Sequence, residues 1–528
     1  MDMAKVLVAD PLHKTGQDLL QQEAEIVIAT GLSEDELISQ IAIYDGLVVR
    51  SETQVTKAVL QAGTKLKVVA RAGVGVDNIN LEAATDLGIA VVNAPTGNTV
   101  AAAEHTVALL LALVRNIPQS YQSLRAKEWR RSQFIGVEVR HKILGVAGLG
   151  KVGTLVARRA KGLEMKVIGY DPFVSQEYAN RLGVDLVSKE ELLSQADFIT
   201  LHLPFTPTTE NFLDAASLRL VKNSVRILNV ARGGLVDDAA LFAALEDDRV
   251  AGAGLDVFQS EPPLDYTLIN HPRVIATPHL GASTEEAQEE VAREAVTQLM
   301  MVLRGDPAPY TVNASFSPPQ PEGILHAYVG LASLIGKLAV QLSEGQLNGV
   351  TVRYQGDIAL EDTSILKASS LVGVLEEVSS EKVNLVNAHL VAERRGLRIL
   401  EEKVSGDSEN YGNLITTEIH TNSGSMTVIG TMLRNQPRIV GIDGYWIDLD
   451  PSNKYLLVTR HQDQPGLIGA VGTVVGEGGI NISFMEVSRQ APRGQAMMII
   501  GLDDKLDKDA LDKIRGIPFI DEVSLVTL

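Results

Sequence analysis

The sequence contains no cysteine, and only 4% of its residues are aromatic. The lack of cysteine excludes disulfides, thiolate catalysis and cysteine-ligated metals, and it fits a reducing compartment. Positive charge is also scarce, since 47 Lys and Arg residues face 66 Asp and Glu residues and give a net charge of −19. That balance disfavours nucleic acid and anionic membranes as partners. A local arginine cluster can still bind a small anion, because distant charges are screened.

Long hydrophobic runs are missing as well. The longest, VALLLALV at 107–114, is far shorter than a membrane span. The first twenty residues lack the basic and apolar segments of a secretory signal. A chain of 528 residues is too long for one hydrophobic core, so several domains are expected. We therefore expect a cytoplasmic enzyme or regulator, without a membrane partner and without a metal site.

Up to residue 98, short runs rich in Val and Ile alternate with helical segments. Five runs are typical of buried parallel strands: KVLVAD, AEIVIAT, GLVVRS, LKVVARAG and IAVVNAP. Between them, one helix is predicted to begin at a Ser33 cap, and the segment NLEAATDLG is predicted to end at its glycine. The pattern predicts a small α/β domain with a flavodoxin-like parallel sheet. One long helix, from about Thr99 to Arg125, is predicted to follow.

A second alternating series predicts a doubly wound, Rossmann-type dinucleotide fold. Its six predicted strands are ILGVAG, KVIGYD, DFITLHLP, SVRILNVA, GAGLDVF and RVIATPHL. The next helix, predicted to open with a capping box from Ser283 to Glu286, has no strand after it in that sheet. We expect it to return to the first domain. Residues 99–283 would then be a nucleotide domain nested in a substrate domain of residues 1–98 and 284–312, with the active site between the two.

The proline-rich segment FSPPQPEG is typical of a domain boundary. Residues 313–452 predict an α+β domain in which no motif can be assigned. Residues 453–528 predict the order strand, helix, strand, strand, helix, strand, which is a compact βαββαβ unit. No internal repeat is evident. We expect this part of the chain to form two further domains.

Three glycines form a G-x-G-x-x-G fingerprint between a predicted strand and a helix: Gly148, Gly150 and Gly153. The first permits a tight turn, the second lets a pyrophosphate approach the backbone, and the third lets helix and strand pack closely. Asp171 ends the next strand, where a carboxylate accepts from ribose hydroxyls and repels a 2′-phosphate. These residues predict NAD rather than NADP. The alternative is a glycine-rich turn in a plain α/β domain.

Four polar residues lie at or just past the ends of predicted strands in the same sheet, namely Arg232, Asp256, Glu261 and His279. Ligands bind at this edge of such sheets. An imidazole can accept a hydroxyl proton as hydride leaves the same carbon, and a carboxylate can fix its tautomer. A guanidinium can hold a carboxylate with two bonds. Singly these residues are often structural, but together they predict a catalytic set.

Two more arginines, Arg50 and Arg71, end predicted strands of the first domain. Both face the predicted interdomain cleft if that sheet is parallel. Two guanidiniums suit a phosphate or a dianion better than a small neutral acid. Position alone leaves solvated surface arginines as the alternative.

Six stretches resemble the D-isomer-specific 2-hydroxyacid dehydrogenases: VVRSETQVT, RAGVGVDNINLEAA, GLGKVG, NVARGGLVD, AGLDVFQSEPP and TPHLGAST. The resemblance implies that Arg232, Glu261 and His279 are catalytic, with His279 as the acid/base. It also implies a set of NAD contacts beyond the fingerprint and Asp171. These are Lys151, Val152, Val230, Ala231, Arg232, Asp256, His279, Leu280, Gly281 and Ala282.

On the substrate side, the same resemblance implies contacts from Arg50, Ser51, Arg71, Gly73 and Asn98. Arg131 matches an arginine that reaches a neighbouring subunit's site, which implies a homo-oligomer, either a dimer or a tetramer. Val74 stands where many relatives carry a polar residue. The resemblance to the long members of the family implies oxidation of 3-phospho-D-glycerate to 3-phosphooxypyruvate, the first step of serine synthesis, with reduction of 2-oxoglutarate as a further activity.

The last segment resembles an ACT domain, a module that binds amino acids, and residues 313–452 resemble the intervening domain of the long members. The resemblance implies L-serine as effector, with Asp463 and Asn481 at ligand-contacting positions. His461 stands where the motif usually carries Asn or Tyr. The alternative is an ACT-like module that serves only assembly.

Two rival functions stay open at this point. Another 2-hydroxyacid dehydrogenase, acting on lactate, glycerate or 2-hydroxyglutarate, would share the catalytic set but would not need two cleft arginines. An NAD-sensing corepressor would share the nested fold and even the Arg, Glu and His. Measurable turnover separates the corepressor from both enzymes.

Overall fold

Four β-sheets organise the part of the chain that the computed structural model describes, which is residues 3–317, 323–404, 406 and 411–528. The first sheet contains β1 (Ala4–Val8), β2 (Ala24–Ile28), β3 (Gly46–Val49), β4 (Val68–Arg71) and β5 (Ala90–Asn93). All its strands are parallel, in the order β2-β1-β3-β4-β5. This is the flavodoxin-like order, and it confirms the predicted fold of the first domain.

The helices around the first sheet are α1 (Lys14–Glu23), α2 (Glu34–Gln40), α3 (Lys57–Ala62) and α4 (Leu81–Asp86). Ser33 caps α2, as predicted, and exchanges hydrogen bonds with Glu36 in a capping box. Gly88 follows α4 with a φ of +65°, a left-handed conformation that glycine adopts without strain.

The single helix predicted from Thr99 to Arg125 is wrong. The structure contains two helices, α5 (Thr99–Val114) and α6 (Ile117–Arg125), which meet at an angle of 62°. Asn116 adopts the left-handed conformation between them, and Pro118 lies in the first turn of α6. Proline fits a first helical turn but breaks a helix interior, so the apolar pattern alone could not show where α5 ends.

The second sheet is also parallel, with the strand order β12-β11-β10-β9-β6-β7-β8. Its strands are β6 (Ile143–Ala147), β7 (Lys166–Tyr170), β8 (Asp185–Leu186), β9 (Phe198–Leu201), β10 (Arg226–Asn229), β11 (Gly252–Leu255) and β12 (Val274–Ala276). The helices are α7 (Lys151–Gly162), α8 (Gln176–Leu182), α9 (Lys189–Gln195) and α10 (Asp238–Glu246). The six predicted strands are present, and β8 was missed because two residues carry no periodic pattern.

Helix α11 (Glu285–Arg304) returns to the first sheet. Its buried residues, which include Val291, Ala295 and Leu299, share one core with Val6 and Val8. The predicted capping box at Ser283 is wrong, because Thr284 is the N-cap and its hydroxyl accepts from Ala287 N at 3.2 Å. The second sheet is therefore inserted into the domain of the first, as predicted.

The third sheet contains β13 (Leu347–Gly356), β14 (Arg398–Val404), β15 (Asn413–Thr421), β16 (Gly424–Leu433), β17 (Gln436–Ile442) and β18 (Tyr445–Leu449) in the order β14-β13-β15-β16-β17-β18. It packs with α12 (Ile324–Leu342), α13 (Ser364–Glu376) and α14 (Ala388–Arg394). By length and composition α12 could cross a membrane, but half of that window is buried inside the protein. Residues 318–322 of the predicted proline-rich boundary lie outside the described residues.

The fourth sheet confirms the predicted βαββαβ unit. Its elements are β19 (Tyr455–Gln462), α15 (Leu467–Glu477), β20 (Ile482–Arg489), β21 (Gln495–Leu502), α16 (Lys508–Arg515) and β22 (Ile520–Thr527), with the strand order β20-β21-β19-β22. One set of its apolar side chains packs beneath α15 and α16. Another set, including Leu456, Val458 and Met497, belongs to the core of the third sheet. The third and fourth sheets therefore share one core.

Candidate active site

A cleft of about 620 Å³ opens between the first and the second sheet. The loops that line it follow the carboxyl ends of strands in both sheets, where parallel sheets bind ligands. Most of the predicted catalytic and substrate residues line this cleft, together with the predicted NAD contact Ala282: they are Arg50, Ser51, Arg71, Gly73, Asn98, Arg232, Glu261 and His279. The nested topology thus brings together side chains that are up to 232 positions apart in the sequence.

His279 and Glu261 form a hydrogen-bonded pair in the cleft. Nδ1 of His279 lies 2.6 Å from Oε2 of Glu261, and Oε1 of Glu261 accepts from Phe258 N at 3.0 Å. Burial raises the pKa of Glu261, but the hydrogen bonds from His279 and Phe258 outweigh burial and lower it overall. An ionised Glu261 holds the proton on Nδ1, which leaves Nε2 of a neutral His279 to accept a proton.

Asp256 supports the segment that carries His279. Its carboxylate is fully buried and accepts from Thr277 Oγ1 at 2.6 Å, Leu280 N at 2.7 Å and Gly281 N at 2.8 Å. His105 Nε2, from α5, lies 3.2 Å from the same carboxylate. Burial raises the pKa of Asp256, but the hydrogen bonds from His105 and Thr277 outweigh it, so the pKa is lowered. Asp256, predicted as an NAD contact, thus fixes the backbone beside His279.

Two arginines meet at the centre of the cleft. Nη1 of Arg232 donates to Ala231 O at 2.7 Å, and its Nε lies 3.3 Å from Oδ2 of Asp77. Nε of Arg71 is buried and has no hydrogen-bond partner among the described residues. Burial, followed by the charge of Arg232, lowers the pKa of Arg71 to about 10. Arg71 is therefore charged at neutral pH, and the cleft has unmet capacity to bind an anion.

A buried carboxylate that the sequence reasoning missed orders the loop of Arg50. Asp10, at the end of the first predicted strand, is 1% exposed and accepts from the backbone N–H groups of Arg50 and Thr53. Asn78 holds the same loop from the other side, since Nδ2 donates to Arg50 O at 2.8 Å and to Thr53 O at 2.7 Å. The only feature of the sequence that could have indicated this role of Asp10 is its position at the end of a predicted strand.

The glycines of RAGVGVDN leave room for the arginines. A Cβ at Gly73 would collide with Nη1 of Arg71. A Cβ at Gly75 would collide with Nη2 of Arg232 and would lie 2.7 Å from Oδ2 of Asp77. Both obstacles are the ends of flexible side chains, so a methyl group would displace guanidiniums and leave the backbone in place.

We therefore expect Gly75→Ala to raise the KM for the anionic substrate about tenfold, because it moves Arg232 by more than a hydrogen bond tolerates. The melting temperature and the KM for NAD should stay close to the wild-type values. Steady-state kinetics and a thermal melt measure the three quantities. Gly330→Ala, at a glycine whose Cβ would meet nothing within 4 Å, is the matched control. An unchanged substrate KM in Gly75→Ala would contradict the crowding at Arg232.

The fingerprint residues fit a dinucleotide. Gly148 has a φ of +94°, and a Cβ there would collide with His202 O, while a Cβ at Gly153 would collide with Gly148 O. Gly150 faces open space and begins α7 without a side-chain cap, which leaves the first N–H groups of α7 for a phosphate. Asp171 directly follows β7 and accepts from Leu149 N at 2.9 Å, so its carboxylate is held beside the glycine turn.

The remaining predicted NAD contacts follow two strands or begin α7. Lys151 and Val152 are in the first turn of α7, Val230 and Ala231 follow β10, and residues 280–282 follow β12. Nζ of Lys151 lies 5.8 Å from the centre of the Tyr310 ring. All these residues therefore lie at the ligand-binding edge of the second sheet. For each of them, contact with NAD stays a prediction.

Arg131 does not reach the cleft of its own chain. It lies in an exposed turn of 3₁₀-helix, Arg131–Gln133, and it is absent from the cleft lining. The neighbouring Trp129 and Ile135 are 83% and 84% exposed. Its predicted contact with a second subunit's site remains a prediction.

The two predicted effector residues lie apart within one chain. Asp463 N donates to Gly494 O, before β21, whereas Asn481 Nδ2 donates to Asp503, after β21. The eight residues of β21 between them span roughly 23 Å at the rise of a β-strand. His461 is 2% exposed and faces the interior. One small ligand cannot contact both Asp463 and Asn481 of the same chain.

Three family models match successive parts of the chain. The NAD-binding domain of the D-isomer specific 2-hydroxyacid dehydrogenases matches residues 107–281. The D-3-phosphoglycerate dehydrogenase intervening domain matches residues 324–443, and the ACT domain matches residues 454–519.

The curated relatives match the whole chain, and the solved structures match a little over half of it. The D-3-phosphoglycerate dehydrogenase of Methanocaldococcus jannaschii is 42% identical and covers 100% of both chains. The protein of that name from Synechocystis is 44% identical over 100% of this chain and 95% of its own. Among solved structures, the TT0316 protein of Thermus thermophilus is 35% identical with a TM-score of 0.55, over 58% of this chain and 99% of its own. The pyruvate reductase of Chlamydomonas reinhardtii is 30% identical with a TM-score of 0.53, over 58% and 98%.

Proposed function

Since the chain belongs to the D-3-phosphoglycerate dehydrogenase family of D-isomer-specific 2-hydroxyacid dehydrogenases, we propose that its cleft oxidises 3-phospho-D-glycerate to 3-phosphooxypyruvate with NAD. The observation that carries this proposal is the His279–Glu261 pair, 2.6 Å apart, in one cleft with three arginines. A base for a hydroxyl and cations for two anionic ends are what this substrate needs.

The chain's own residues divide the work. The turn from Gly148 to Gly153 and Asp171 would hold NAD, which would supply the hydride acceptor. Nε2 of His279 takes the proton of the C2 hydroxyl as the C2–H bond breaks, and the C=O bond forms. Glu261 stabilises the imidazolium that results. Arg232 binds the carboxylate, while Arg50 and Arg71 bind the phosphate.

Lactate and glycerate, two of the rival substrates, fit the cleft less well than 3-phosphoglycerate does. Each carries one carboxylate, which Arg232 would bind, so Arg71 would stay buried without an anion, at a cost in free energy. 2-Hydroxyglutarate has a second carboxylate, so the substrate test decides between it and 3-phosphoglycerate. A corepressor would share the Arg, Glu and His, so the pair does not exclude it, but a net charge of −19 disfavours a nucleic-acid partner and measurable turnover would decide.

The other parts of the chain receive their roles from the same proposal. We assign residues 1–98 and 284–312 to the substrate domain, 99–283 to the nucleotide domain, 313–452 to the intervening domain and 453–528 to the ACT domain. L-Serine would inhibit by binding between ACT domains of two chains, because Asp463 and Asn481 of one chain lie too far apart. Arg131 would reach a second subunit's cleft, so the chain would form a homo-oligomer. A cysteine-free composition supports a cytoplasmic location.

The test is the appearance of NADH when the full-length chain is mixed with NAD and 3-phosphoglycerate, with the product removed continuously. We expect turnover with NAD, little with NADP, and suppression by L-serine. Turnover that serine does not change would leave the enzyme proposal standing and remove the effector. The absence of turnover with 3-phosphoglycerate, but turnover of lactate, glycerate or 2-hydroxyglutarate, would contradict the proposed substrate.

A further inference from the structure

An ion pair crosses the active-site cleft. Asp77 follows β4 in the substrate domain, and Arg232 follows β10 in the nucleotide domain. Oδ2 of Asp77 lies 3.3 Å from Nε of Arg232. The side chain of Asp77 is 69% exposed and that of Arg232 is 30% exposed. An ion pair so accessible to water contributes little to the stability of a fold, so a structural role explains it poorly.

The contacts of Arg232 show what the pair does to its guanidinium. A guanidinium has five N–H groups. One, on Nη1, donates to Ala231 O at 2.7 Å, and the Nε side faces Asp77. The hydrogen bond and the ion pair lie on the Nη1 and Nε sides of the group. They leave the outer edge, formed by Nη1 and Nη2, with N–H groups that can bind a carboxylate with two parallel bonds.

The local charges and the backbone conformation also indicate that Asp77 acts on Arg232. Arg232 lowers the pKa of Arg71, and Asp77 partly offsets that effect, so Asp77 acts as a counter-charge within the arginine cluster. Gly75 lies against both partners, since a Cβ there would collide with Nη2 of Arg232 and would lie 2.7 Å from Oδ2 of Asp77. The turn from Gly75 to Asp77 is therefore shaped around the end of the Arg232 side chain.

We propose that Asp77 is a positioning residue, which holds Nε of Arg232 from the opposite domain so that the outer edge of the guanidinium binds the substrate carboxylate. The inference rests on the proposed role of Arg232 in substrate binding. Because the two partners belong to different domains, the orientation of Arg232 also depends on how the two domains are placed across the cleft.

The experiment is a double-mutant cycle on the full-length chain, with Asp77→Asn, Arg232→Gln and the combination. We expect Asp77→Asn to lower kcat/KM for 3-phosphoglycerate about tenfold, with an unchanged KM for NAD and an unchanged melting temperature. In the combined variant, Asp77→Asn should add no further loss to that of Arg232→Gln. Asp77→Glu should restore part of the loss, since it restores the charge. Asp18→Asn, on the exposed side of α1, is the matched control and should match the wild type.

Three results would overturn the inference while wild-type turnover still supports the proposed function. A higher kcat/KM in Asp77→Asn would mean that Asp77 competes with the substrate for Arg232. Losses that add in the combined variant would mean that Asp77 acts without Arg232. An unchanged kcat/KM would mean that the ion pair is incidental. If the wild type oxidises a different 2-hydroxy acid, the proposed substrate fails by itself, and the same cycle is measured with that acid. A wild type that turns over no 2-hydroxy acid would overturn the proposed function and this inference with it.

Discussion

His279→Gln should lower kcat about a thousandfold, which is the scale of a positioned general base. A glutamine side chain can occupy the place of the imidazole and donate to Glu261, but it cannot accept the hydroxyl proton as hydride leaves. The affinity of the His279→Gln variant for NAD should change little, because the residues predicted to bind NAD, the glycine turn and Asp171, lie at a different part of the cleft edge. Steady-state kinetics with 3-phosphoglycerate measure kcat, and fluorescence titration of the variant with NADH measures cofactor affinity.

The matched control is His326→Gln, because His326 is exposed on α12, away from the cleft. It should keep the wild-type kcat. A His279→Gln variant that turns over at more than about a tenth of the wild-type rate would show that another group takes the proton. A large loss of NADH affinity in that variant would instead indicate that His279 acts mainly on the cofactor.

The fold was predictable where the chain repeats a strong local pattern. The strands of the first sheet, such as β3, are short apolar runs between helices, and buried parallel strands have that composition. The break between α5 and α6 was not predictable from periodicity, because Ala and Leu continue up to Val114 and Pro118 is compatible with a helix start. The shared core of the third and fourth sheets could not be predicted, since no local pattern says which face of one sheet covers another.

Of the candidate site, only the residues that follow strand ends could be predicted from the sequence, and the residues that support them could not. Arg232, Glu261 and His279 follow strand ends, so the topology of a parallel sheet brings them to one edge. The supporting contacts join distant positions: Asp10 to Arg50 over 40 residues, and His105 to Asp256 over 151 residues. His105 is the only histidine in a largely apolar helix, and a lone histidine there is more often structural than functional. Such contacts depend on tertiary packing, and one sequence does not encode them in a local pattern.

The role of Asp77 also depends on a tertiary contact that no local pattern shows. Its place in RAGVGVDN marked it as part of a motif, but its partner lies in another domain, 155 positions later. The glycines of that motif became interpretable only when the side chains of Arg71 and Arg232 were seen to fill the space beside them. The glycines of RAGVGVDN leave room for the side chains of two arginines, and this can be recognised only in the folded cleft.

Arg232→Gln should lower kcat/KM for 3-phosphoglycerate by about a thousandfold. Losing one preorganised donor to a developing charge costs roughly a hundredfold to a thousandfold, and Arg232 provides two donors and a full positive charge. The substrate carboxylate would then lack its partner, and the carbonyl that forms at C2 would be less polarised. The loss should appear in kcat as well as in KM, because the guanidinium both binds and orients the substrate. Glutamine is neutral and cannot form the two parallel bonds.

Arg219→Gln gives the same change of charge at an exposed arginine of the nucleotide domain, and it should keep the wild-type kcat/KM. The result also separates the two roles given to the arginines. If Arg232 binds the carboxylate and Arg71 the phosphate, then D-glycerate, which lacks the phosphate, should lose as much from Arg232→Gln as 3-phosphoglycerate does. A loss confined to 3-phosphoglycerate would place the phosphate on Arg232, and the direction in which the substrate lies in the cleft would then be reversed.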